Sequence, residues 1–280
     1  MQADRFRLPV RALAAVAAIA AMTGLAACGD DDVDTQSVDV FFDQNGQIQA
    51  PRSAEAGLAE ITVRNDSDEH ADAQLVFVEG DHSPEQVVQG LGAAIDGKPF
   101  PDWFFAGGGT PIVPPGRTES VEQVLKPGDY YVFNTNSNEQ PDPAKVPVIA
   151  VSGEESDDEL PEADAEVQAV DYGYEATGLT TGRNRILFAN TGAQPHHIVA
   201  SQIRGDATIE DVERAFQSNA GQPPLVTRGM QTTAALEGGE SQLVNLDLKP
   251  GRYAFYCFIS DRQGGPPHAV KGMVDEVEVN

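Results

Sequence analysis

The chain is 280 residues long and carries 44 Asp and Glu against 18 Lys and Arg, a formal net charge of −26. That balance excludes nucleic acid as a partner, because no basic surface is left to neutralise a phosphate backbone. It keeps the protein soluble and, where a partner docks, it favours a basic one.

Arg5, Arg7 and Arg11 form a basic front, residues 12–24 are almost all Ala, Val, Ile, Leu and Met, and Leu25-Ala26-Ala27-Cys28 follows. A basic front, a short apolar core and small residues before a cut site predict a secretory signal over residues 1–27. The apolar run falls short of the roughly 20 residues of a membrane-spanning helix, and no later stretch is long enough either. The Leu-Ala-Ala-Cys ending resembles a bacterial lipobox. That resemblance implies cleavage before Cys28, a lipid on its sulfur, and an extracytoplasmic protein anchored to the bacterial cell membrane. Residues 28–35 read as a solvated tether. With Cys28 acylated, Cys257 is the only thiol left and no internal disulfide forms. An unpaired thiol outside the cytoplasm is open to oxidation and mispairing. Cys257 is then either a buried small hydrophobe or a thiolate held by a metal.

The rest of the chain is written twice. LKPGDYYVFNTNS (125–137) returns as LKPGRYAFYCFIS (248–260), ITVRNDS (61–67) as ILFANTG (186–192), and VEGDHSPEQVV (78–88) as IRGDATIEDVE (203–213). The offset is 125 residues upstream and 123 downstream, which predicts two copies of one domain, over 36–153 and 164–280. Between them the acidic stretch SGEESDDELPEADAE (152–166) has almost nothing to bury, and an acidic linker is expected over 154–163. Within each copy, short alternating runs separated by Gly/Pro turns predict strands. LVNLDL (243–248) places Val244, Leu246 and Leu248 on one face. RYAFYCF places Tyr253, Phe255 and Cys257 on one face and Ala254, Tyr256 and Phe258 on the other. One helix per copy is expected: Ser83-Pro84-Glu85-Gln86 offers an N-cap, a first-turn proline and a capping-box glutamine, and Thr208 to Asp211 does the same less well. The fold class is all-β, two tandem Greek-key β-sandwiches each with a short helical insertion.

The tail GRYAFYC…PPHAVKGMVDEVEVN resembles the C-terminal end of plastocyanin-type cupredoxins: an aromatic strand into Cys, a loop to His, then Met, then a last strand. The family's upstream histidine follows an Asn-rich turn ending Pro-His, as in Asn190-Thr-Gly-Ala-Gln-Pro195-His196. The resemblance implies tandem cupredoxin-like domains and, in the second, one type-1 copper held by His196, Cys257, His268 and Met273. The donor chemistry agrees, since a blue-copper site needs two imidazoles, a thiolate and a weak long thioether. Taken singly, each residue also has a plain reading: Cys257 and Met273 as core packing, His268 as a loop histidine, His196 as structural.

Three features depart from the family. Ten residues separate Cys257 from His268, more than plastocyanin-like loops have, so the insertion either loops out or carries His268 away from the metal. The residue after the first histidine, an asparagine that ties the ligand loops in the family, is His197 here, and that tie is expected to be lost. His197 also competes with His196 as the ligand, although strand alternation sends it to the opposite face. Third, nothing in the chain fixes the potential. In the first copy, Cys257 falls on Asn134, His268 on Lys145, Met273 on Ala150 and His196 on Ala71, which predicts a copy without a metal site. Its Trp103-Phe104-Phe105 run is read as a partner-binding loop or as cover for the seam between domains.

Multicopper oxidases and copper nitrite reductases share a multi-domain cupredoxin architecture, but have a histidine directly beside the type-1 cysteine, where this chain has Tyr256 and Phe258. Five histidines in all cannot also build a trinuclear cluster, so the chain is expected not to be an enzyme. The reading adopted is an anchored copper protein that transfers one electron, with a basic redox protein as partner and no small-molecule substrate identified. Two alternatives stay open: a module that handles or senses copper without electron transfer, and a metal-free cupredoxin-like surface protein.

Overall fold

A computed structural model of the chain describes residues 35–280, except 138, 219 and 220. The signal, the lipidated Cys28 and the tether expected over the first residues lie outside them. Alternating apolar residues form strands between turn formers. In the first half these are β1 (Gln36–Phe42), β2 (Ile48–Gln49), β3 (Ser53–Glu55), β4 (Gly57–Asn65), β5 (Gln74–Val78), β6 (Phe104–Gly109), β7 (Arg117–Leu125), β8 (Gly128–Phe133) and β9 (Val148–Ser152). In the second they are β10 (Ala165–Val170), β11 (Gly173–Thr177), β12 (Gly182–Asn190), β13 (Val199–Ile203), β14 (Leu225–Thr232), β15 (Ser241–Leu248), β16 (Gly251–Tyr256) and β17 (Val274–Val279).

One sheet runs through both halves in the order β11-β10-β12-β15-β7-β4-β1-β2. The halves join in it where β15 pairs antiparallel with β7, Leu243 opposite Glu122. Each half adds a smaller sheet, β3-β9-β8-β5-β6 in the first and β14-β13-β16-β17 in the second. Val38, Ile61 and Val121 of the shared sheet meet Leu75, Val132 and Ile149 in one core cluster, which also holds Val167, Ile186, Val244 and Phe255 of the second half. The fold is all-β and cupredoxin-like.

Each half carries one helix, as expected, between β5 and β6 in the first and between β13 and β14 in the second. α1 (Pro84–Ile95) starts on Ser83, whose hydroxyl takes the Gln86 N–H while the Gln86 side chain takes the Ser83 N–H. α2 (Ile209–Ser218) starts on a similar exchange between Thr208 and Asp211. Among the described residues, no helix is long and apolar enough to cross a membrane.

β16 is buried on both faces. Tyr253, Phe255 and Cys257 enter the main core, while Ala254 and Tyr256 enter a second cluster under α2 with Val212. An equivalent asparagine closes the turn after β4 and after β12. Asn65 donates to the carbonyls of Glu69 and Val113, and Asn190 to those of Gln194 and Leu236, all at 2.7–2.9 Å. Both side chains are fully buried, so neither amide has water to fall back on.

Candidate metal centre

The Asn190 turn delivers Pro195-His196 to Leu236, with which His196 exchanges both backbone hydrogen bonds. Cys257 follows the end of β16, and its carbonyl accepts the N–H of Ala269 at 2.8 Å. His268 opens a 3-10 turn (His268–Lys271), and its N–H binds the Ile259 carbonyl at 2.8 Å. Gly272 ends that turn at φ +102, a conformation costly for any residue with a Cβ. Through these contacts the chain brings one donor atom each of His196, Cys257 and His268 within 4.8 Å of one another. All three side chains are fully buried. Met273, also fully buried, lies in the core cluster that holds Cys257. His197 is outside the group. Its Nε2 accepts the N–H of Phe258 at 3.0 Å, so the tie between the ligand loops, expected lost, is made by an imidazole.

Two aspartates complete the centre. Asp171 Oδ1 lies 2.7 Å from His196 Nε2, and Asp261 Oδ1 lies 3.0 Å from His268 Nε2. A carboxylate only accepts, so each Nε2 carries the ring proton and each Nδ1 a lone pair. The two Nδ1 atoms face each other at 3.0 Å. Burial lowers the pKa of both rings against the pull of the aspartates, and for His268, where the adjacent His196 adds to it, down to about 4. Burial would lift the two aspartates, but their hydrogen bonds outweigh it and hold both below the usual carboxylate range. At neutral pH the rings are neutral and two acceptors meet with no proton between them, an arrangement that a bound cation resolves.

The sulfur tells the same story. Burial pushes the Cys257 thiol up to about 12, although the N–H groups of His197 and Ile259 are aimed at it. Those donors suit a thiolate, which a dry site tolerates only beside a cation. The donor set therefore fits a soft, imidazole- and thiolate-binding metal, and in a cupredoxin-like fold it supports copper binding.

The ten-residue insertion does not loop out; the first half holds it. Phe100 N–H binds the Arg262 carbonyl at 2.8 Å and Gly265 N–H binds the Gly97 carbonyl at 2.9 Å. A Cβ on Gly264 would come within 2.9 Å of that same carbonyl, so the close approach requires glycine. The Arg262 guanidinium pairs with Glu237 at 2.9 Å, donates to the carbonyls of Pro101 and Phe104 at 3.1 Å, and lies 4.8 Å from the Phe105 ring centroid. Of the aromatic run, Phe105 thus serves the seam. Phe104 is buried against α1 and Trp103 stacks on His82, both within the first half. At the first half's equivalent of the centre, Asn134 Oδ1 accepts the N–H groups of Asp72 and Asn136, and Asp72 accepts that of Thr135 at 2.6 Å. Asp72 there makes the loop tie that His197 makes in the second half.

No family model matches the sequence, and no curated protein is similar to it. Among solved structures, auracyanin B is 28% identical over 41% of this chain and 86% of its own, with a TM-score of 0.27. A multicopper oxidase is 14% identical over 88% of each chain, with a TM-score of 0.23. The copper nitrite reductase of Nitrosomonas europaea is 16% identical over 88% of this chain and 94% of its own, with a TM-score of 0.22. The last two are enzymes, and the expectation that this chain is not one is withdrawn. Counting histidines excludes a trinuclear cluster alone, not turnover at a site of other composition. Likeness at this level assigns no activity to the chain.

Two predictions follow from the centre's geometry and charge. His268 in the folded protein titrates near 4 rather than 6.5, so the unfolded chain binds its proton first as pH falls. Its contribution is complete above pH 6.5 and is lost towards pH 4, at up to about 1.4 kcal/mol per pH unit. Denaturant unfolding of the metal-free protein should therefore lose more stability between pH 7 and 4.5 than that of His268→Asn; equal losses would contradict the buried neutral ring. Arg262→Ala strands the mostly buried Glu237 and should cost about 3–5 kcal/mol. Much of that loss should return in the Arg262→Ala/Glu237→Gln double variant, and an unchanged unfolding midpoint in the single variant would rule out the clamp.

Proposed function

We propose that the protein is a copper protein that transfers one electron through a single type-1 centre, with His196, Cys257 and His268 as strong ligands and Met273 as the weak axial one. The observation that carries this reading is the meeting of two buried imidazole Nδ1 atoms and a buried thiol within 4.8 Å, each ring fixed by a carboxylate on its far side. Copper bound there supplies a couple that gains and loses one electron without proton chemistry. The chain's own part is to hold imidazoles and thiolate in place in both states. The Asn190 turn fixes His196, the N–H groups of His197 and Ile259 stand ready for the thiolate, and the Arg262 clamp holds the insertion leading to His268. A loosely looped insertion would favour copper handling without electron transfer; the clamped one favours a rigid centre and small reorganisation.

In this reading residues 36–153 and 164–280 are two copies of one cupredoxin-like domain, and only the second holds copper. Lipidation of Cys28 anchors the protein outside the cytoplasm to the bacterial cell membrane. The −26 charge favours a basic redox protein as partner, through faster and salt-sensitive encounter.

Adding one equivalent of Cu(II) to the purified protein tests the reading. An intense thiolate-to-copper absorption band and a narrow copper hyperfine splitting are expected, both lost in Cys257→Ser. A pale Cu(II) signal that persists in Cys257→Ser would overturn it.

A further inference from the structure

Two carboxylates and one ammonium lie behind the imidazoles. Asp171 accepts from His196 Nε2 and from the N–H groups of Ala193 and Gln194, at 2.7, 2.9 and 3.2 Å. Among the described residues no Lys or Arg salt bridge to it is found. Asp261 accepts from His268 Nε2 and from the Tyr172 hydroxyl at 2.8 Å, and it pairs with Lys271. Lys271 Nζ also lies 5.0 Å from the centroid of the Tyr172 ring, whose own centroid is 5.0 Å from that of His268. Both aspartate side chains are about three-quarters or more shielded from solvent, so their charge is only partly screened.

We propose that Asp171 and Asp261 are positioning residues that also set the potential of the centre, favouring Cu(II) over Cu(I), and that Lys271 partly offsets Asp261. The proposal rests on the copper reading above. The physical ground is the sign of the charges. A carboxylate hydrogen-bonded to the outer nitrogen of a ligand imidazole makes that ring a stronger donor and places negative charge one ring away from the metal. Both effects stabilise the more highly charged oxidation state. An ammonium on the same carboxylate works in the opposite direction. Sequence spacing gave no sign of this set, because it is assembled from the β10–β11 turn, the insertion and the 3-10 turn.

The test is a potentiometric titration of the copper-loaded full chain, followed by its thiolate-to-copper band. Asp171→Asn and Asp261→Asn keep an oxygen to accept the imidazole proton and remove only the charge. Each is expected to shift the Cu(II)/Cu(I) partition about tenfold towards Cu(I), a rise of about 59 mV for one electron. Lys271→Gln is expected to move it the other way, and the band is expected to persist in all three. A loosened site would not reverse sign with the charge removed. Potentials that stay put, or that rise in Lys271→Gln, overturn this inference while the copper reading stands. Absence of a Cys257-dependent band in the parent protein overturns both. Should an aspartate variant fail to fold, Lys271→Gln reads the same effect from the opposite side.

Discussion

Two imidazoles and a thiol lie side by side where no water reaches, and each polar atom they carry must be satisfied there. The outer nitrogens are answered by Asp171 and Asp261, and two backbone N–H groups face the sulfur. What remains is a pair of facing lone pairs and a thiol whose charge the site is built to receive but whose burial forbids. A neutral protein interior does not resolve that by itself. A cation does, and most of the local structure can be understood as holding the donors where one would bind.

That requirement bears on how the three donors are held. The strand carrying Cys257 is fixed by burial on both faces, and His196 by the Asn190 turn. His268 follows a ten-residue insertion with few apolar residues, which the second half holds through Gln194 on the Arg262 N–H and through the Arg262–Glu237 pair. The first half adds the carbonyls of Pro101 and Phe104 on the Arg262 guanidinium, the Gly97 carbonyl and the Phe100 N–H. Where the second half has its metal centre, the first half has carboxylate and amide hydrogen bonds around Asp72 and Asn134, which close the equivalent loops from within.

Much of this could be read from the chain. The repeated LKPG turn and the aromatic strand after it gave the strand pattern, Ser83 and Gln86 gave the helix start, and Asn190 with Pro195 marked the turn before His196. That His196, Cys257 and His268 come together was legible because histidine and cysteine are scarce here and fall in a fixed order. The aspartates were not legible. In a chain with 44 acidic residues, two that sit in turns have no spacing to distinguish them, and only folding brings them to the imidazoles. His197 was misjudged for a related reason: an imidazole can accept the N–H of Phe258 where an amide was expected, a substitution visible in geometry and not in residue type. Arg262 carries no signal in the sequence, because the carbonyls of Pro101 and Phe104 that it binds come from the other half.

The account is tested most directly by diffraction from copper-loaded crystals at the copper absorption edge. The expected result is a single strong anomalous peak between His196 Nδ1, His268 Nδ1 and the Cys257 sulfur, with both aspartates still on the outer nitrogens. A peak at surface carboxylates, or none within reach of Cys257, would contradict it.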